Sequence, residues 1–125
     1  ALDGVTQSDP EGTLSRWFGT AASEARAACG SWLRDVDPAS YKAAYSVFAA
    51  SDGPTPAQLE NLNCAALFAT GGDEPNSTPR MSQAMASLTP KGRAVVVPDA
   101  AHMMPMTDAA FVNQTLRTFV EECFA

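Results

Sequence analysis

The sequence is poor in positive charge, in histidine and in long apolar runs, and each shortage removes a class of function. Lysine and arginine number 8 against 14 aspartates and glutamates, and they are scattered singly. No basic stripe is available to neutralise phosphates, so nucleic acid is not an expected partner. The formal net charge of -6 favours solubility and says little else. No apolar run approaches the roughly 20 residues that a membrane-spanning helix needs, so no membrane partner is expected. The opening stretch ALDGVTQSDPEG lacks the basic and apolar regions of a signal peptide, and a cytoplasmic protein is expected. Three cysteines, Cys29, Cys64 and Cys123, lie far apart without a CxxC pair. That spacing indicates neither a zinc site nor a disulfide framework, and three buried thiols are expected, none on a turn that would expose a nucleophile.

What is present suffices for one ordinary domain: 125 residues, 46% of them apolar. Residues 1–54 read as helical, without a convincing strand. Arg16, Trp17 and Phe18 fall in a first short helix, and Ser23 to Leu33 form a second, its end weakened by Gly30. Asp37 followed by Pro38 is an N-cap with proline at the first helical position. Tyr41, Ala44, Tyr45 and Phe48 follow at helical spacing on one face, and Ser51-Asp52-Gly53-Pro54 ends that helix.

Residues 55–125 read differently. Thr55-Pro56 opens a short helix through Leu62, and Thr78-Pro79 opens another with Met81, Met85 and Leu88 on its inner face. Between them lies the apolar run from Cys64 to Thr70, closed by Gly71-Gly72, and after them the run Arg93 to Pro98. Both runs are continuous rather than alternating, as suits parallel strands covered on two faces with the intervening helix as crossover. A last helix, from about Thr107 to Phe124, offers Phe111, Val112, Leu116, Phe119, Val120 and Cys123 as an apolar stripe for the sheet. The fold class is therefore α/β with an incomplete sheet. Two parallel strands leave an edge open, and association through it, as a homo-oligomer or with another chain, is expected.

In such a sheet functional groups gather beyond the carboxyl ends of the strands. Those ends carry Gly71-Gly72-Asp73-Glu74-Pro75 and Asp99-Ala100-Ala101-His102, so an acid and the single histidine converge. A carboxylate on imidazole Nδ1 fixes the tautomer and leaves Nε2 to take a proton. The plainer alternative is a satisfied structural histidine beside a solvated Asp-Glu turn. Gly71-Gly72 as an anion cradle is a weaker reading, because no GxGxxG or GxxxxGK[ST] occurs and two acids follow directly. A metal on Asp73, Glu74 and His102 would lack a second histidine. No metal or other cofactor is expected.

The stretch LFATGGDEPNSTPRMSQAM resembles the strand, acid turn and helix near the end of α/β-hydrolases. VVVPDAAHMMPMTDAAFVNQTLRTFV is similar to their last strand, histidine loop and closing helix. The resemblance covers roughly residues 56–124, and the acid-then-histidine order agrees with that family's Ser, acid, His order. It implies a C-terminal portion of an α/β-hydrolase acting on an ester or lactone, with His102 as base and Glu74 or Asp73 as acid. Family spacing from Gly71 favours Glu74, while aspartate, the commoner acid, keeps Asp73 as an alternative.

Residues 1–54 then occupy the place of a helical cap. Arg16-Trp17-Phe18 and DPASYKAAYSVFAASD resemble the cap of the 3-oxoadipate enol-lactonase branch, which implies Trp17, Phe18, Trp32 and Tyr45 as substrate-binding candidates, and Met103, beside the histidine, is a further candidate as pocket wall. Each has core packing as its alternative role. The family's GxSxG elbow occurs nowhere in the chain. Without that nucleophile and an oxyanion hole the chain alone is expected to be inactive, with the N-terminal half of the same hydrolase as its partner. The competing readings are a stand-alone interaction module and an unrelated small-molecule-binding βαβ domain.

Overall fold

The computed structural model of the protein describes residues 9–124; the opening stretch through Ser8, on which the signal-peptide expectation largely rests, lies outside the described residues with Ala125. Helix α1 (Pro10–Phe18) starts where the Asp9 carboxylate accepts the Gly12 N–H at 3.0 Å, with Pro10 next in line. Helix α2 (Glu24–Asp35) is capped by Ser23 and runs through Gly30 rather than ending near Leu33. A β-carbon at Gly30 would press on the Leu14 side chain, so the glycine lets α1 and α2 approach. The resulting burial of Leu14, Phe18, Cys29 and Leu33 offsets the poor helix propensity of glycine.

Helix α3 (Pro38–Ala49) begins at Asp37, which accepts the Ser40 N–H at 2.8 Å. That bond holds the Asp37 carboxyl below its ordinary value. Tyr41, Tyr45 and Phe48 do share a face, with neighbouring ring centroids 6.2 and 6.0 Å apart. The face is open, Phe48 being 72% exposed.

Helix α4 (Pro56–Glu60) is closed by the reciprocal Thr55–Gln58 capping box. Strand β1 (Ala66–Gly71), helix α5 (Pro79–Leu88) and strand β2 (Gly92–Val97) then form one parallel βαβ unit, in register from Ala66 opposite Gly92 to Gly71 opposite Val97. Both runs are therefore strands, shifted by a residue or two from the sequence reading. On α5 Ser82 is buried and Met85 and Leu88 are partly buried, while Met81, expected on the same inner face, is half exposed. The small Ser82 suits the close approach of α5 to the strands, as does Gly92, where a β-carbon would overlap the Ala86 carbonyl.

The expected final helix is α7 (Ala109–Cys123), and a short helix α6 (Met104–Thr107) precedes it, divided from it at Asp108, whose φ of -123° and ψ of 34° are not helical. Val112 of α7 packs on the buried cluster of Val97, Ala100 and Met104. Phe111, Leu116 and Val120 are about half exposed. Among the described residues the sheet has two strands, and no large side chain is fully buried. Cys29 is buried as expected, but Cys64 and Cys123 are exposed, because they sit before β1 and in the last turn of α7, beyond both packed clusters. Among the described residues no helix is long and apolar enough to cross a membrane.

Candidate active site

Beyond the carboxyl ends of β1 and β2 the backbone pairing continues into the loops. The Gly72 N–H donates to the Val97 carbonyl at 2.8 Å, and the Asp73 N–H to the Ala100 carbonyl at 2.9 Å. A side chain at Gly71 would overlap the Ala100 and Ala101 carbonyl oxygens, so this contact between loops exists only because Gly71 has no β-carbon. Just past the opposite strand Asp99 turns the chain with φ at 54°, the left-handed region that aspartate tolerates better than most residues. These bonds occupy the Gly72 and Asp73 N–H groups, which are therefore not free to cradle an anion.

The two loops bring Glu74 and His102 together. Glu74 Oε2 is in direct contact with His102 Nδ1, while Oε1 accepts the Asn76 N–H at 2.7 Å and the Ser77 N–H at 3.3 Å. Glu74 is 4% exposed. Burial by itself pushes its carboxyl up; the Asn76 amide, the His102 imidazole and the Ser77 amide outweigh that, and the net direction is down. The acid is thus a carboxylate with both oxygens engaged. A carboxylate on Nδ1 assigns the proton there and frees the Nε2 lone pair. The His102 side chain is 44% exposed, so that lone pair belongs to an accessible ring.

Asp73, one residue earlier, is exposed, and among the described residues no hydrogen bond links its side chain to His102. It lines a cavity of about 520 Å³ together with Arg16, Trp17, Phe18, Pro75, Asp99 and Ala101. Trp17 also stacks on His102, with ring centroids 5.8 Å apart and planes 23° from parallel. The Met103 N–H donates to the Trp17 carbonyl at 3.0 Å, and the Met103 side chain packs against the helical core. Phe18 contributes mainly to that core. Trp32 is 62% exposed on α2 and Tyr45 lies on the open face of α3; neither lines this cavity. Among the described residues no group of three or more histidine, cysteine or carboxylate side chains is placed to hold a metal.

The sequence reading did not foresee three of these features: the Trp17–His102 stack, the Asn76 and Ser77 amides on Glu74, and the left-handed Asp99. The second had a signal, since Glu-Pro-Asn-Ser is a turn sequence whose amides fold back on the acid. The stack had none, because 85 positions separate the two rings in the chain.

No protein-family model matches the sequence. Over 115 residues the chain is 36% identical to the (E)-2-((N-methylformamido)methylene)succinate hydrolase of Acinetobacter baylyi, covering 90% of this chain and 44% of that protein. The crystal structure of the enol-lactonase from Burkholderia xenovorans superposes with a TM-score of 0.75 at 22% identity, over 90% of this chain and 44% of the enzyme. The chain thus spans less than half the length of the proteins it matches.

Proposed function

Because the chain belongs to the α/β-hydrolase fold family and carries the fold of its C-terminal part, we propose that it supplies the acid and the base of a hydrolase acting on a carboxylic ester or lactone. The observation that carries the reading is the buried, doubly engaged Glu74 carboxylate on Nδ1 of the accessible His102. A serine from the N-terminal half of the same hydrolase attacks the substrate carbonyl, and His102 Nε2 takes the hydroxyl proton. Glu74 stabilises the imidazolium so formed. The imidazolium returns the proton to the leaving oxygen as the acyl-enzyme forms. Water, deprotonated by the same nitrogen, then releases the acid and restores the serine.

In this reading residues 1–54 are the cap, residues 55–125 belong to the core, and Asp73 is not the acid. Trp17 lines the approach to the base, with Phe18 and Met103 packed behind it in the helical core and Trp32 and Tyr45 further out on the cap. The isolated chain is inactive for lack of the elbow. The alternative of a non-catalytic interaction module is favoured by the open sheet and the half-exposed stripe of α7, features that make no use of the Glu74–His102 pair.

The test is hydrolysis of p-nitrophenyl acetate by this chain joined to, or co-expressed with, a GxSxG-bearing N-terminal segment. His102→Ala and Glu74→Ala should each lower kcat by about 10²–10⁴, the usual worth of a positioned base, with Asp73→Asn close to the parent. An unchanged rate after His102→Ala would exclude His102 as the base.

A further inference from the structure

Glu74 holds the imidazole at a single point. One hydrogen bond to Nδ1 sets where that nitrogen sits but leaves the ring free to swing about it, and the side chain is 44% exposed, so little else packs on it. A base must keep Nε2 aimed at the proton it removes, which requires a second restraint on the ring plane. The stack supplies it. The indole of Trp17 lies against the imidazole with centroids 5.8 Å apart and an interplanar angle of 23°, inside the range of offset-stacked aromatic pairs.

Trp17 is itself fixed. Its side chain packs against the Leu14, Phe18, Cys29 and Leu33 cluster, and its carbonyl accepts the N–H of Met103, the residue after the histidine. The same residue therefore pins the loop backbone and faces the ring that the loop carries.

We propose that Trp17 is a positioning residue for His102: it holds the plane of the imidazole from the helical segment while Glu74 holds its Nδ1 from the sheet. The role rests on the hydrolase reading, but the contact can be tested without it, because His102 is the single histidine of the chain and Trp17 one of two tryptophans. In nuclear magnetic resonance spectra of the 125-residue chain, the two ring C–H signals of His102 should lie upfield, displaced by the indole ring current. Trp17→Leu should move both to the positions of an unstacked histidine, and Trp17→Phe should restore most of the displacement. Identical His102 signals in the parent and in a natively folded Trp17→Leu protein would overturn the proposal.

Should Trp17→Leu fail to fold, tryptophan emission provides the second arm. Emission should fall as His102 is protonated, since an imidazolium quenches an adjacent indole, and this dependence should survive Trp32→Phe and vanish in His102→Gln. A dependence that persists in His102→Gln would overturn the contact. In the assembled hydrolase, Trp17→Leu should lower kcat on p-nitrophenyl acetate by about tenfold at nearly constant KM, as loss of orientation does, with Trp17→Phe near the parent. A raised KM with kcat unchanged would instead make Trp17 a substrate contact and overturn the positioning role. The spectroscopic arms need neither serine nor substrate, so failure of the stack and failure of the hydrolase reading give separate results.

Discussion

Glu74 is the residue on which the site's electrostatics turn. Its carboxyl lies below the ordinary glutamate value of 4.5 in the fold, despite burial, because three donors favour the charged form. For a group depressed on folding, the associated stability is present above the unfolded value and is lost as pH falls through the folded one. Denaturant titrations should therefore show constant stability from this group at neutral pH and a loss beginning as pH drops below about 4.5. Glu74→Gln should flatten that acid limb and, by mispairing a buried site, destabilise the chain by about 1–3 kcal/mol at pH 7. An acid limb identical in Glu74→Gln and the parent would show that other carboxylates dominate it. The choice of Glu74 over Asp73 was open to spacing arguments from Gly71. The source of the depression was not, since it lies in how the backbone after Pro75 curls to aim two amides at one oxygen.

At the scale of elements, the docking of the two loops depends on Gly71. Replacing it with alanine would set a methyl group into the Ala100 and Ala101 carbonyls, and backbone cannot yield as a side chain can. Gly71→Ala should cost at least about 1–3 kcal/mol in thermal or chemical unfolding, the range of overpacking. It should also separate Glu74 from His102 and disturb the His102 ring signals. Gly72→Ala is the control, because a β-carbon there meets neighbours only at 3.4 Å or beyond. Equal tolerance of both substitutions would mean that the loops dock by other means. Elements whose ends carry their own chemistry were readable in the sequence: Asp37-Pro38, Thr55-Pro56 and Thr78-Pro79 each start a helix. Those set by contacts between distant segments were not. Gly30 looks like a helix weakener until Leu14 is seen against it, and the short α6 lies in a stretch that the sequence marks only as the loop after the histidine.

For the whole molecule, the distribution of exposed apolar surface governs behaviour in solution. Both outer strand edges are unpaired among the described residues, and Phe111, Leu116 and Val120 of α7 are about half covered. Unpaired edges and uncovered stripes recruit partners. We expect the 125-residue chain to sediment with a concentration-dependent mass and to bind a hydrophobic dye, and, on the proposed reading, a GxSxG-bearing N-terminal segment should suppress both. A monodisperse monomer at high concentration with no dye binding would refute this. The α/β class followed from two continuous apolar runs around a helix, whereas the thinness of the core reflects how few elements pack on each other, which hydropathy does not report.

The hydrogen bonds from Gly72 and Asp73 to the opposite loop have a practical corollary. Acid and imidazole hang on one short ladder within one chain, so their relative placement does not depend on which strand later lies at the sheet's outer edge. On the proposed reading, a serine brought by another segment would meet a ready-made acid–imidazole pair in a single step.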